Sequence, residues 1–178
     1  MYNASIDDNF EDAKVILDKR QELVRFSIVK SYETALHVAI SCKSHQIVRY
    51  LVSLMSNDDL ELQNGNGETA LYVAARDGNR VGAMILMERN KSLIDIPDSQ
   101  GRMPLYAAVL GSHYDISFYL YHNFEKMSGD SWTHHNRSRV LEACLEGHLF
   151  GKYSNTYLQF SFFFYHKLSI YSCVSLIE

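Results

Sequence analysis

The chain has 178 residues, 47% of them hydrophobic, with 17 Lys and Arg against 21 Asp and Glu and a formal net charge of -4. No run of Lys or Arg exceeds a pair, so no basic stripe is available to displace counterions from a phosphate backbone, and nucleic acid is excluded as the main partner. The three cysteines, Cys42, Cys144 and Cys173, are scattered without C-x-x-C spacing, and Met1 to Phe10 carries Asp7 and Asp8 with no apolar stretch; this pattern argues for free thiols, no secretory leader and a cytoplasmic setting.

In chain order, Glu11 to Val24 reads as a helix, with Ala13, Val15-Ile16-Leu17 and Leu23-Val24 at helical spacing and Asp8 or Asn9 before it as a cap. Thr34 caps a second helix through Leu36, Ala39 and Ile40, and Lys43-Ser44 interrupts it. Gln46 to Met55 forms a third helix with Ile47, Val48, Leu51, Val52 and Leu54 inward, ended by Asn57-Asp58-Asp59. A tight turn falls at Asn64-Gly65-Asn66-Gly67. The cycle restarts with a Thr69 cap and a helix to Ala75, a break at Gly78-Asn79, a helix from Val81 to Arg89 and a loop from Leu93 to Gly101. Pro104 opens the next helix at its first position, where a missing N–H costs nothing. That helix runs to Leu110, breaks at Gly111-Ser112 and resumes from Tyr114 to Asn123. A last unit starts near Asn136 with Val140, Leu141, Ala143 and Cys144 as its apolar face and Gly147 as its stop.

Three segments of this series repeat: Glu33-Thr34-Ala35-Leu36-His37-Val38-Ala39, Glu68-Thr69-Ala70-Leu71-Tyr72-Val73-Ala74 and Arg102-Met103-Pro104-Leu105-Tyr106-Ala107-Ala108, spaced by 35 and then 34 residues. A period near 33 marks a stack in which no unit buries its apolar face without neighbours. The small residues Ala39, Ala74-Ala75, Ala107-Ala108 and Ala143 are expected where one helix closely approaches the next.

The phrases Gly67-Glu68-Thr69-Ala70-Leu71-Tyr72-Val73-Ala74-Ala75 and Gly101-Arg102-Met103-Pro104-Leu105-Tyr106-Ala107-Ala108 resemble the ankyrin-repeat pattern G-x-T-P-L-H-x-A-A, with Asn64 and Asp98 at the acidic or amide position three before each Gly. The resemblance covers residues 1–148 and implies an all-α solenoid of about four helix-pair repeats with hairpin-like connecting loops. Lys14-Val15-Ile16-Leu17, Leu62-Gln63-Asn64 and Met103-Pro104-Leu105-Tyr106-Ala107-Ala108 also resemble plant ankyrin proteins of the accelerated-cell-death type. Those carry a C-terminal membrane domain, the PGG domain, and the resemblance implies stress or defence signalling at a membrane. This chain departs from them in having no Pro-Gly-Gly segment and no set of clean spanning helices after the repeats. It departs from the repeat pattern at Tyr32, which stands for the usual Gly, at Gly82 inside a helix, and at Ser112, which reads as a one-residue insertion. Gly82 is expected to weaken its helix by about 1 kcal/mol relative to Ala.

Residues 149–178 form an aromatic-rich tail with Tyr153, Tyr157, Phe160, Phe162-Phe163-Phe164, Tyr165 and Tyr171. Three readings stay open. Thr156 to Ile177 is long enough to span a membrane, although His166-Lys167 sits at its middle, where Lys costs about 2.5–3.5 kcal/mol. The tail also suits a segment docked over the open end of the solenoid. Third, Gly151-Lys152-Tyr153 is what a splice-donor sequence would encode in frame, so the segment reads as an intron translated into the gene model.

No nucleophile–base set is visible, and no catalytic, cofactor-binding or metal-binding residues are expected. His134-His135 lacks further ligands at metal spacing and reads as a solvated loop. Cys42 has only Lys43 nearby to lower its pKa and reads as inert. His37 occupies a position that the ankyrin resemblance makes structural. The same resemblance places a partner-binding groove on Lys30, Ser31, Glu33, Ser41 and Cys42; on Gly65, Asn66, Glu68, Arg76 and Asp77; and on Ser99, Gln100, Arg102, Val109 and Leu110. The expected function is a non-enzymatic protein–protein interaction module in plant stress or defence signalling. Its expected partner is a protein, with membrane attachment only if the tail or a missing C-terminal domain anchors it. Two alternatives stand beside this: a membrane-tethered signalling component, and a truncated, non-functional product.

Overall fold

In the computed structural model, which describes residues 2–6, 8–123 and 132–146, the apolar spacing becomes two rows of helices. The first row contains α1 (Tyr2–Ile6), α3 (Ala35–Ser41), α6 (Ala70–Arg76), α8 (Pro104–Leu110) and α10 (His134–Glu146), each packed on the next. The second contains α2 (Phe10–Lys19), α4 (His45–Leu54), α7 (Arg80–Arg89) and α9 (Tyr114–Asn123), again packed in order. One-turn α5 (Asn57–Leu60) and 3₁₀ turns at Gln21–Arg25 and Lys91–Asp95 connect the pairs. The fold is an all-α repeat solenoid.

First-row helices α3, α6 and α8 are apolar nearly all round because each has a first-row neighbour on both sides and its own second-row helix behind it. Ala35 through Ile40 of α3 and Ala70 through Ala75 of α6 are all buried. Ala39, Ala74, Ala75 and Ala108 are 0% exposed, and a larger side chain at any of them would force the layers apart. Second-row helices are one-sided: α4 buries Ile47, Val48, Leu51 and Val52 and turns Arg49 and Ser53 to solvent.

Several boundaries differ from expectation, each for a tertiary reason. The helix expected over Glu11–Val24 stops at Lys19, where Arg20 leaves helical geometry at φ -146° and a 3₁₀ turn takes over. Second-row helices α2, α4, α7 and α9 are each ten residues long, so the layer's width sets the length. Asn57-Asp58-Asp59 does not simply end a helix; Ser56 caps a new turn there, accepting the Asp59 N–H at 3.2 Å. Helix α10 begins at His134 rather than near Asn136, which puts the exposed His134-His135 pair on a helix and not in a loop. Ser112 is no insertion. Its left-handed φ of 56° matches Asp8 (51°), Lys43 (59°) and Gly78 (66°), the same link between the two helices of each pair. The expected stop at Gly147, the side chains of Leu141 and Cys144, and the tail at 149–178 lie outside the described residues.

Side chains stitch the layers together at these links. Each second-row helix after α2 is preceded by a residue that donates to a carbonyl of the previous layer: Ser44 Oγ to Ser5 O at 2.7 Å, Asn79 Nδ2 to Ile40 O at 2.8 Å and His113 Nε2 to Arg76 O at 2.9 Å. Asn79 carries the most, since its Oδ1 also accepts the Gly82 N–H at 2.8 Å and His45 Nε2–H at 3.0 Å. An Ala side chain at Gly82 would lie 2.7 Å from both Asn79 Nδ2 and Ile40 Cδ1. The glycine expected to be a weakness is therefore where the larger Asn cap takes the room that Ile47 and Ile116 fill in the neighbouring layers.

Candidate partner-binding face

Between layers the chain makes a finger, closed by a single antiparallel bridge at Ser27 with Thr34 and at Gln63 with Thr69. The second and third fingers are built by one side chain each. Asn64 Oδ1 accepts N–H groups of Asn66 (2.9 Å) and Glu68 (3.0 Å); Asp98 Oδ1 accepts those of Gln100 and Arg102, both at 2.9 Å. These asparagine-type turns are a local device for reversing the chain. Val29 stands at this place in the first finger and has no such acceptor. The left-handed residue that finishes each finger is Tyr32 (φ 62°), Gly67 (74°) or Gly101 (72°). At Gly67 a side chain would collide with the Ser99 backbone, so glycine is required there.

Adjacent fingers are tied edge to edge, Gly65 N–H to Ser31 O at 2.8 Å and Ser99 N–H to Asn66 O at 3.1 Å, with Gln63 Nε2 reaching Pro97 O at 2.9 Å. The fingers and the C-terminal ends of α3, α6 and α8 thus form one continuous face. On it Lys30, Ser31, Ser41, Cys42, Gly65, Asn66, Arg76, Ser99, Gln100 and Leu110 are exposed, while Glu33, Asp77 and Arg102 are half-buried.

Two expected residues do not present side chains. Val109 is 0% exposed and Glu68 is 5% exposed. Val109 shares its place with Ile40 and Ala75 in the layers before it, all buried; the misplacement follows from reading Ser112 as an insertion, and the residue in register with Ser41 and Arg76 is Leu110. Glu68 turns inward because its carboxylate accepts from Asn64 Nδ2 (2.8 Å) and takes both its oxygens to Arg76 Nη1 (2.7 Å each).

Much of the charge on this face is thus committed. Arg76 also donates to Asp77 (3.0 Å), and Ser41 donates to the other Asp77 oxygen (2.8 Å). Arg102 closes on Asp98 at 2.5 Å. Burial alone would raise the Asp98 carboxyl, yet the Arg102 guanidinium and the two N–H donors hold it below the ordinary aspartate value. Reversing Arg76 or Arg102 would leave a buried carboxylate unpaired and disturb the layer itself.

His37 is buried within this region. Its Nδ1 accepts the Thr34 N–H at 3.3 Å and lies 2.9 Å from the Thr34 hydroxyl, so Nε2 carries the proton and donates to Glu68 O of the next layer at 3.0 Å. Burial lowers its pKa below 6.5, against the pull of Glu68 and Glu33. Thr69 caps α6 more simply, accepting the Tyr72 N–H at 3.2 Å. Burial, then the Glu33 charge, raises the Cys42 thiol, the reverse of an activated cysteine. Among the described residues no group of three or more His, Cys, Asp and Glu could hold a metal ion.

At the far end, Trp132 is buried and donates to Asp95 at 3.2 Å. Val140 and Ala143 of α10 are buried as well. Arg139 lies over the Tyr106 ring at 5.3 Å and donates to Gln100 O at 3.1 Å, so α10 extends the first row past the third finger.

Stacked helix pairs joined by fingers, with a polar face along one edge, define a repeat-protein recognition scaffold. Comparison with known proteins makes this specific. The family description "Ankyrin repeats (3 copies)" matches residues 53–130 and "Ankyrin repeat" matches residues 31–64; together they span more than half of the chain, which belongs to the ankyrin-repeat family. The chain is 30% identical over 116 residues to the B-cell lymphoma 3 protein homolog of Mus musculus, covering 61% of this chain and 26% of that protein. It is 29% identical to the E3 ubiquitin-protein ligase XBAT32 of Arabidopsis thaliana, covering 64% of this chain and 22% of that protein. The chain therefore spans about a quarter of the length of these relatives. Its fold resembles a chain in the crystal structure of the yeast ribosomal protein Rps3 in complex with its chaperone Yar1, with a TM-score of 0.66, 20% identity and coverage of 73% of this chain and 94% of that one.

Proposed function

We propose that this chain is a non-enzymatic protein–protein interaction module that binds its partner along the finger face. The observation that carries this reading is the unbroken edge formed by Ser31–Gly65 and Asn66–Ser99, which holds exposed Lys30, Asn66 and Gln100 in one rigid row beside Leu110. A row fixed by backbone hydrogen bonds loses little entropy on binding, which favours recognition. Lys30, Ser31, Ser41, Cys42, Gly65, Asn66, Ser99, Gln100 and Leu110 would touch the partner, while Glu33, Arg76, Asp77 and Arg102 shape the floor.

The finer reading, a role in plant stress or defence signalling in the cytoplasm, is supported by the motif resemblance and by the similarity to an Arabidopsis protein. Among the described residues no helix is long and apolar enough to cross a membrane. Photo-crosslinkers at Asn66 and Gln100 are expected to trap a discrete partner in cell extract, and crosslinkers at Arg49 and Glu88, on the second row, are not. Adducts from the second row alone would refute the assignment.

A further inference from the structure

We infer that the partner segment lying on this face is acidic and that its carboxylates meet Lys30 and Lys43; the inference rests on the binding face proposed above. Formally the first two layers of the face are balanced, Lys30, Lys43 and Arg76 standing against Glu33, Glu68 and Asp77. Their exposure is not balanced. In the second layer the Arg76 side chain is 40% exposed, while the carboxylates it holds, Glu68 and Asp77, are 6% and 24% exposed. In the third layer Arg102 is 24% exposed and its partner Asp98 is 0% exposed. Each pair thus turns its cation outward and its carboxylate inward. Arg76 bonds through Nε and Nη1, and Arg102 through Nε and Nη2. Arg76 Nη2 and Arg102 Nη1 have no acceptor among the described residues, so each guanidinium can serve a further carboxylate.

In the first layer the cations stand free. Lys30 and Lys43 are exposed and make no ion pair among the described residues. Glu33 is half-buried and its carboxylate accepts from Ser31 Oγ at 2.7 Å, and the Tyr32 ring beside Lys30 is exposed but uncharged. A chain of net charge -4 therefore offers positive charge on this one face, and a segment of the opposite sign is steered to it and held in register. Lys30 lies on the finger before α3 and Lys43 at the link after it, so the seven residues of that helix separate them by about 10 Å or more. Extended chain covers that distance in about three residues at ~3.3 Å each, so the segment carries carboxylates at that spacing or wider.

The test selects binders from a phage-displayed random peptide library with the full chain as bait and measures a selected synthetic peptide against variants. Asp and Glu are expected to be enriched. Lys30→Glu with Lys43→Glu is expected to weaken the peptide about tenfold at low salt, with the difference shrinking as salt rises. Lys30→Gln with Lys43→Gln, which removes the charges without reversing them, is expected to lose less. Lys14→Glu with Lys19→Glu makes the same change of net charge on exposed positions of α2 and is expected to leave affinity within about twofold. Selection without acidic enrichment, or equal losses from the α2 pair and the Lys30–Lys43 pair, overturns the inference, as does capture by phosphatidylserine vesicles with no acidic peptide selected. Peptides free of Asp and Glu that crosslink through Asn66 and Gln100 refute the acidic occupant alone; peptides that crosslink only through Arg49 and Glu88 refute the binding face as well.

Discussion

Replacing Gly82 by Ala sets helix propensity against packing, and the two give opposite signs. Propensity alone promises a gain of at most about 1 kcal/mol, because Gly82 lies in the first turn of α7 and Ala is the better helix former. The surroundings oppose it. The added methyl would lie 2.7 Å from Asn79 Nδ2, 2.7 Å from Ile40 Cδ1 and 2.9 Å from Asn79 Cγ. Neither neighbour yields cheaply, since Ile40 is 0% exposed and Asn79 is held by three hydrogen bonds of 2.8, 2.8 and 3.0 Å. Overpacking of this kind costs about 1–3 kcal/mol, and disturbing the Asn cap adds about 1 kcal/mol. After subtracting the propensity gain, Gly82→Ala is expected to destabilise the chain by about 1–3 kcal/mol. Urea unfolding, followed by far-UV circular dichroism and by the fluorescence of the single tryptophan, Trp132, measures this directly. A variant whose midpoint equals or exceeds that of the parent would show that the Asn79 stitch is soft, and the close-approach account would fail.

Two further outcomes follow from the finger region. His37 is neutral and its pKa lies below 6.5 in the fold, so the unfolded chain binds a proton that the native one refuses. Its contribution is complete above the unfolded pKa and shrinks as pH falls from about 6.5 toward the folded value. The urea midpoint should therefore drop between pH 7 and pH 5, and His37→Tyr, the residue found at Tyr72 in the next layer, should flatten that drop; an equal drop in both refutes the role. At Asp98, Ala removes two turn bonds and the Arg102 pair and is expected to cost about 2–3 kcal/mol, whereas Asn keeps the turn, as Asn64 does, and costs about 1 kcal/mol or less. Equal losses by calorimetry would show that the ion pair, rather than the turn, holds the finger.

The sequence carried the periodic elements well, because the signals there are local. Threonine or proline at a helix start, apolar spacing and Asn64 or Asp98 before a turn act within a few residues of where they stand. What it hid depends on neighbours that are distant along the chain. The end of α2 at Lys19 is set by layer width, and α1, at five residues, is too short to show a period. Sequence spacing puts Val109 on the proposed binding face because a left-handed Ser112 looks like an extra residue when only letters are compared; Ser112 stands nine residues after Met103, as Lys43 does after Thr34 and Gly78 after Thr69, and that is the signal for the correct register. Gly82 looked like a flaw because the bulk that replaces its side chain comes from Asn79 and Ile40. The proposed binding face was legible only by analogy with a family, and so its self-neutralising pairs of Glu68 with Arg76 and Asp98 with Arg102 were invisible, as was the exposed ring of Tyr32.

The stitches between layers also have a direction. Asn79 and Gly65 give protons backward, to Ile40 and Ser31, while Asn66 and Arg76 offer their carbonyls forward, to Ser99 and His113. One middle layer therefore carries both halves of the joint. A duplicated copy of it, inserted in tandem, would meet the same backbone donors and acceptors above and below, and the reach of this protein can grow by whole modules with only side chains to match at the new seam.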